Sequence, residues 1–267
     1  MKLSRLEESL YSCCRLFVQG DEKSWVASGF FVKVKTLDAL QSDLLVTCKH
    51  VVDGATSLSI DVRRRIGNDP IRQPTISRVD IELDKAVILS HPSEDLCAIF
   101  VHPLLTPLMK IDGAWPVIYA FGREHICDYN TLDACEEFVM IGCPSEMFDE
   151  INNLPIIRRG VTASHPGFHY KGSQQFLVDC PSYSGSSGSP IIRYGNLFFD
   201  RERQSYDLAM HPRIALLGML TSGFDDVSEG GQHIDLGVAV SADAIAQLMT
   251  TAEQFLGQIR PPAAGWE

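Results

Sequence analysis

The sequence lacks the features of a membrane or secreted protein. It contains no run of about 20 apolar residues, which a membrane-spanning helix requires. Its opening residues, MKLSRLEESLYS, hold no continuous apolar segment of the kind found in secretory signal peptides. An Asn-x-Ser/Thr acceptor for N-linked glycosylation is also absent. These absences predict a cytoplasmic protein with no membrane partner.

Basic charge is scarce as well. The chain carries 23 Lys and Arg against 34 Asp and Glu, which gives a formal net charge of −11. Binding to a nucleic-acid backbone depends on a basic surface that neutralises phosphates. The short basic cluster at residues 63–65 is more typical of a solvated strand or loop. The composition therefore predicts no nucleic-acid partner.

Motifs that bind metals are missing too. None of the eight cysteines lies in a C-x-x-C pair, the spacing typical of a zinc site. HPGFH places His165 and His169 four residues apart, but Pro166 and Gly167 disfavour the helix that would align them as ligands. We therefore expect no metal and no other cofactor. Several cysteines lie in apolar, strand-like segments where a free thiol packs as a small hydrophobe: Cys48, Cys97, Cys143 and Cys180.

The pattern that is present is that of an all-β protein. Of the 267 residues 45% are hydrophobic, and they form about a dozen short apolar runs separated by Gly, Pro, Asn and Asp. No long amphipathic helices separate these runs, which favours antiparallel barrels or a sandwich over a parallel sheet. One helix is predicted near the end of the chain, where apolar residues recur at helical spacing: Ile245, Leu248, Met249, Ala252 and Leu256.

The strands fall into two sets. Residues 104–133 are rich in Pro, Gly and polar interruptions and are typical of a connection. We predict an N-terminal unit over residues 1–119 and a C-terminal unit, including the helix, over residues 120–267. Residues 196–213 exceed the length of a tight hairpin, so they form either a surface excursion or a docking or regulatory loop.

A serine-rich stretch, SYSGSSGSPII at residues 182–192, lies between two strand-like runs. A tight turn between strands is a position from which a catalytic serine can be presented. A serine hydroxyl needs a histidine to accept its proton and a carboxylate to orient that histidine. His50 follows one hydrophobic strand and Asp95 precedes another. Asp53 is the rival carboxylate, although its closeness to His50 favours a role in capping the turn.

These segments together resemble the trypsin/chymotrypsin family of serine proteases, and in particular its bacterial, disulfide-free, trypsin-like peptidase domains. TCKHVV is similar to the family's histidine motif, EDLCAIF to its aspartate motif and GSSGSP to its serine motif, in the family's order. FVMIGCPSE, IRRGVTAS and GMLTSGF extend the resemblance over most of the chain. The resemblance implies two antiparallel β-barrels with the active site between them and a C-terminal α-helix.

The resemblance also implies a mechanism. Ser187 would be the nucleophile, His50 its general base and Asp95 the residue that orients His50, with the N–H groups of Gly185 and Ser187 forming the oxyanion hole. The implied function is hydrolysis of selected intracellular proteins or peptides, as a regulated effector of a bacterial stress or antiviral defence system. Ser186 stands where secreted relatives have an aspartate, which points to control by a loop or a regulatory protein partner. The alternative is a catalytically inactive protease fold that binds a partner protein.

By the same resemblance, the pocket for the side chain before the scissile bond is formed by Pro181, Ser182, Tyr183, Ser184, Thr221, Ser222, Gly223 and Gly237. Proteases that cleave after Lys or Arg carry a carboxylate where this chain has Pro181. A buried cation without a counter-charge is costly, so the sequence predicts small or medium uncharged side chains. Asp179, Asp225 and Asp235 are the acids that could change this preference.

Overall fold

The computed structural model describes residues 3–35, 41–65, 75–110, 114–223 and 235–259. About half of these residues lie in antiparallel strands and few lie in helices, which confirms the predicted all-β class. The elements are, in chain order, α1 (Arg5–Leu10), β1 (Cys13–Gly20), β2 (Ser24–Lys35), β3 (Gln41–Thr47), α2 (Lys49–Val52), β4 (Ala55–Arg65), β5 (Thr75–Glu82), β6 (Ile88–Ser90), β7 (Cys97–Phe100), α3 (His102–Leu105), β8 (Trp115–Pro116), β9 (Glu137–Gly142), β10 (Ile156–Thr162), β11 (Gln175–Asp179), β12 (Pro190–Asp200), β13 (Ser205–Gly223), β14 (Leu236–Ser241) and α4 (Ala242–Ile259).

The first eight strands form one antiparallel sheet in the order β5-β4-β1-β2-β3-β7-β6, with β8 paired to β4. Buried and partly exposed residues alternate along β1, as expected for a strand with one face on a core. The interior of this sheet is filled by large apolar side chains that are fully buried: Leu16, Phe30, Leu44, Leu58 and Ile60. Burial of these side chains is the main driving force for forming the sheet.

The last six strands close into a barrel in the order β10-β11-β14-β13-β12-β9. Its core is a separate apolar cluster that includes Phe138, Phe176, Ile191, Leu220 and Ala239. Closure pairs every strand on both sides, so the barrel provides a rigid support for the loops at its ends.

Helix α4 confirms the predicted C-terminal helix, and it packs against strands of both units: β2 and β6 of the first sheet and β13 and β14 of the barrel. Ile245 and Leu248 belong to an apolar cluster that contains residues of the first sheet and also Leu216 and Val240 of the barrel. The Phe255 ring lies 5.5 Å from that of Phe100 on β7. The helix therefore joins the two units through apolar contacts. Among the residues described, neither α4 nor any other helix is both long and apolar enough to cross a membrane.

The connection between the units lies on the first sheet at Phe121. Its N–H donates to Phe31 O and its carbonyl accepts from Lys33 N, both at 2.9 Å. The boundary between residues 119 and 120 remains a prediction.

Residues 196–213 form a hairpin extension of the barrel, with a register shift between Gly195 and Leu197. Strand β12 continues to Asp200 and β13 begins at Ser205, with Leu197 opposite Leu208. Leu208 is 72% exposed and Met210 is 92% exposed. The segment is thus an ordered excursion from the surface, and a docking or regulatory role for it remains a prediction.

Candidate active site

His50 and Asp95 meet at one end of the first sheet. Strand β3 pairs with β7, with Thr47 opposite Cys97, so the residues that follow β3 lie beside those that precede β7. His50 Nδ1 is 2.6 Å from Asp95 Oδ2, and the His50 backbone N–H donates to Asp95 Oδ1 at 3.1 Å. A neutral imidazole that donates its Nδ1 proton to Asp95 keeps Nε2 as a proton acceptor.

These contacts favour the ionised form of Asp95. Partial burial by itself raises the pKa of Asp95, but hydrogen bonds from the His50 side chain and from the His50 and Lys49 backbone outweigh it and hold the pKa below its usual value. Within the described ranges, no hydrogen bond or ion pair joins the rival carboxylate, Asp53, to His50, and the Asp53 N–H donates to Lys49 O at 2.9 Å. The geometry thus pairs His50 with Asp95.

The serine-rich loop between β11 and β12 has a backbone that only glycine fits at two positions. Gly185 has φ +84° and Gly188 has φ +89°, in the left-handed region that other residues rarely adopt. A Cβ on Gly185 would lie 2.4 Å from the Cys143 carbonyl oxygen, and one on Gly188 would lie 1.9 Å from that of Ser28. The loop is therefore a tightly fitted turn and not a flexible linker.

Two N–H groups of this loop remain available to a ligand. The N–H of Ser186 donates to Tyr183 O at 3.0 Å, and the N–H of Gly188 donates to Leu220 O at 2.9 Å. Within the part of the chain that the structure describes, the N–H groups of Gly185 and Ser187 have no hydrogen-bond acceptor. Free N–H donors in the loop that carries a nucleophilic hydroxyl are what an oxyanion hole requires.

The Ser187 hydroxyl donates a 3.0 Å hydrogen bond to the carbonyl oxygen of Thr221. No hydrogen bond links it to His50 among the described residues. The two segments nevertheless meet, because Cys48 Sγ contacts Leu220 O at 3.6 Å, next to Thr221.

Sequence reasoning missed Ser28, a fully buried residue of β2 that crosses from the first sheet to the serine loop. Its N–H donates to Ser187 O at 2.9 Å, and its hydroxyl accepts a hydrogen bond from Cys143 N at 3.0 Å. Thr47 Oγ1 in turn donates to Ser28 O at 2.9 Å. The only sequence signal was a small polar residue inside the apolar run WVASGFFVKV.

Glu94 is a second residue that was missed. Its buried carboxylate accepts hydrogen bonds from Gln174 N at 3.1 Å and from Gln175 Nε2 at 2.9 Å, at the start of β11. Because Glu94 directly precedes Asp95, these bonds tie the aspartate loop of the first sheet to the barrel that carries Ser187.

The predicted pocket residues lie where β11 and β13 end and β14 begins. Gly223 of β13 pairs with Gly237 of β14, and a Cβ on Gly223 would lie 3.4 Å from the Cβ of Ser182. The two predicted walls, Pro181–Ser184 and Thr221–Gly223, therefore meet. Of the three acids that could change the preference, Asp179 and Asp235 are exposed, and Asp225 lies outside the described residues.

Within the described residues, the side chains close enough to share a metal ion are Cys48, His50 and Asp95, whose ligand atoms lie within 4.8 Å of one another. Burial raises the pKa of Cys48 well above its usual value, whereas a metal-ligating cysteine must be a thiolate. In the HPGFH segment, which was also considered as a source of metal ligands, the His165 ring stacks on the Phe168 ring, with 4.4 Å between ring centroids. The donor set at His50 thus fits proton transfer better than metal binding.

Comparison with known proteins gives a family. The profile of the family described as "Trypsin-like peptidase domain" matches residues 27–198. This match covers more than half of the chain and includes all three candidate catalytic residues. No curated protein matches.

Solved structures share the fold. A substituted form of the HtrA-type protease AlgW with a tripeptide matches with a TM-score of 0.56 and 14% identity, over 94% of this chain and 64% of that chain. The serine endoprotease from Yersinia pestis matches with a TM-score of 0.52 and 13% identity, over 95% and 68%. A thermostable serine protease from an extremophilic microorganism matches with a TM-score of 0.52 and 12% identity, over 92% and 99%. At these identities the likeness shows the fold alone.

Proposed function

The chain belongs to the trypsin-like peptidase domain family, and on that premise we propose that it is a serine endopeptidase with His50, Asp95 and Ser187 as its catalytic residues. One observation carries the proposal: the 2.6 Å contact between His50 Nδ1 and Asp95 Oδ2. This contact orients an imidazole as a base beside a serine loop that keeps two free N–H donors. A protease fold that only binds a partner does not need both an oriented imidazole and free N–H donors in its serine loop.

In the proposed reaction, the Ser187 hydroxyl leaves the Thr221 carbonyl oxygen and donates to His50 Nε2. Its oxygen then attacks the peptide carbonyl carbon while His50 accepts the proton. The N–H groups of Gly185 and Ser187 hold the oxyanion, and Asp95 stays ionised beside the imidazolium. His50 next delivers the proton to the leaving amine, and the C–N bond breaks.

An acyl ester on Ser187 remains after the first half of the reaction. A water molecule loses a proton to His50 and attacks the ester carbonyl. The ester bond breaks, the proton returns to Ser187 Oγ, and the carboxylic acid product leaves. The segment Thr221–Gly223 would hold the substrate backbone as an added antiparallel strand.

We further propose that the substrates are a limited set of intracellular proteins and that a partner protein controls cleavage. The support is the resting position of the Ser187 hydroxyl, which is bonded to Thr221 O instead of His50. A site in that state requires a rearrangement, which a substrate or a regulatory partner can supply. An effector role in a bacterial stress or antiviral defence system fits such control.

The test is covalent labelling by a fluorophosphonate probe, which reacts with an activated serine. The wild-type protein should be labelled, and Ser187→Ala should abolish labelling. Ser205→Ala, which removes an exposed hydroxyl at the tip of the β12–β13 hairpin, is the matched control and should label normally. A folded wild-type protein that resists the probe would favour the alternative, a protease fold that binds a partner without cutting it.

A further inference from the structure

A cation borders the predicted side-chain pocket. Arg158 of β10 donates hydrogen bonds from its guanidinium to the carbonyl oxygen of Pro181 and, at 3.0 Å, to Ser186 Oγ. The Tyr183 ring covers the same guanidinium, with its centroid 5.4 Å from Arg158 Cζ. Pro181 and Tyr183 belong to the predicted pocket wall, and Ser186 directly precedes Ser187. Arg158 therefore lies against the pocket wall, beside the nucleophile loop.

This guanidinium forms no ion pair with any carboxylate of the described residues, whereas the exposed neighbour of Arg158, Arg159, pairs with Glu137 at 2.7 Å. Arg193, the buried arginine of the same barrel, pairs with Glu136 at 2.5 Å. Burial lowers the pKa of Arg158. A half-buried charge without a partner is unfavourable, and an anionic ligand would relieve that cost.

The guanidinium also has donors to spare. Arginine carries five N–H donors in a planar fork. Besides the bonds to Pro181 and Ser186, Arg158 makes a weak contact with Met140 Sδ at 3.8 Å. The Nε–H and one N–H of Nη1 remain free to donate to a carboxylate oxygen, an acceptor that forms strong hydrogen bonds with a charged donor.

Resting on the proposed peptidase function, we propose that the pocket takes an acidic side chain and that the protein cleaves after Asp or Glu. Arg158 is the specificity-determining residue, because it pairs with the substrate carboxylate. The sequence alone predicts an uncharged side chain, since it identifies Pro181 at the pocket but not a cation that comes from β10. The bond that breaks is the peptide bond after the acidic residue, and water supplies one oxygen of the new carboxyl group and one hydrogen of the new amine.

The first experiment compares fluorogenic peptides that differ only in the residue before the scissile bond: Glu, its neutral isostere Gln, or Lys. For the wild-type protein, kcat/KM for the Glu peptide should exceed that for the Gln peptide by about 10- to 100-fold, the worth of a hydrogen-bonded charge pair. In Arg158→Gln the ratio should fall to about 1, mainly through loss on the Glu peptide. Arg159→Gln, on the exposed face of β10, is the matched control and should keep the wild-type ratio.

The same peptides distinguish a role of Arg158 in specificity from a role limited to positioning the serine loop. If Arg158 only held Pro181 and Ser186 in place, Arg158→Gln would lower kcat/KM equally for the Glu and Gln peptides, and the proposal would be wrong. Arg158→Lys keeps the charge but loses the fork, so it should retain a reduced preference for Glu. Wild-type preference for the Gln or Lys peptide would also overturn the proposal.

A binding measurement keeps the pocket testable without catalysis. Product peptides that end in Glu or Gln are titrated calorimetrically into Ser187→Ala, with the Ser187→Ala/Arg158→Gln double variant as control. The Glu peptide should bind about tenfold more tightly, and the double variant should lose this difference. Equal binding overturns the acidic pocket, whereas failure of the fluorophosphonate probe to label the wild type overturns the peptidase function.

Discussion

Ser28 lies on β2 of the first sheet, and its hydroxyl donates a 2.8 Å hydrogen bond to the carbonyl oxygen of Gly185 in the serine loop of the barrel. The same hydroxyl accepts a hydrogen bond from Cys143 N. One buried side chain thus fixes the peptide that follows Gly185 and, with it, the orientation of the neighbouring N–H of Ser186. The two units are aligned by polar contacts at the candidate active site as well as by the apolar contacts of α4.

We expect Ser28→Ala to lower kcat about 10- to 100-fold with little change in KM, because the serine loop loses its anchor while the pocket walls remain. It should also cost about 1–3 kcal/mol of unfolding free energy, since buried polar groups are left without partners. Steady-state kinetics and urea denaturation measure both effects. Ser24→Ala, an exposed serine on the same strand, is the control, and wild-type kcat in Ser28→Ala would contradict the anchoring role.

The three candidate catalytic residues should act as a unit. Ser187→Ala and His50→Ala should each lower kcat by up to about 10⁶-fold, and the double variant should lose little more, because the reaction needs both members. Asp95→Asn should lower kcat by about 10⁴-fold through the wrong imidazole tautomer. Asp53→Asn is the matched control. A large loss in Asp53→Asn with near-normal activity in Asp95→Asn would show that the carboxylate is misassigned.

Gly185 should tolerate no side chain. Gly185→Ala places a Cβ against the Cys143 carbonyl oxygen at a positive φ, so the loop must shift and the two free N–H groups lose their alignment. Loss of oxyanion stabilisation at one donor is worth about 10²–10³-fold in kcat. Gly195→Ala on β12, where an added Cβ contacts nothing within 4 Å, is the control. Equal kcat in the two variants would exclude Gly185 from the oxyanion hole.

The contact between Asp95 and His50 should make stability depend on pH. The pKa of Asp95 in the folded protein is lowered, so its contribution to stability is fully present above the unfolded value of about 3.9. That contribution is lost as the pH falls through the folded value. The difference in unfolding free energy between wild type and Asp95→Asn should therefore shrink between about pH 5 and pH 3. Urea denaturation across this range measures the unfolding free energies of both proteins. If their difference grew on acidification, the pKa of Asp95 in the folded protein would be raised and not lowered.

The sequence by itself determined the elements and the main candidates. Short apolar runs broken by turn residues specify strands, and apolar residues at helical spacing specify α4, because both patterns depend on local geometry. The motifs around His50, Asp95 and Ser187 were recognisable for the same reason, since each is a short segment of fixed residue types.

Only the tertiary structure decided the rest. The partners Ser28 and Gly185 are 157 residues apart in the chain, and no periodicity of either segment predicts that they meet. The resting hydrogen bond of Ser187 with Thr221 depends on how β13 approaches the serine loop. In the sequence Arg158 resembled any other basic residue on a strand. Its position beside the pocket follows from the pairing of β10 with β11, which places Arg158 against the wall that begins at Pro181.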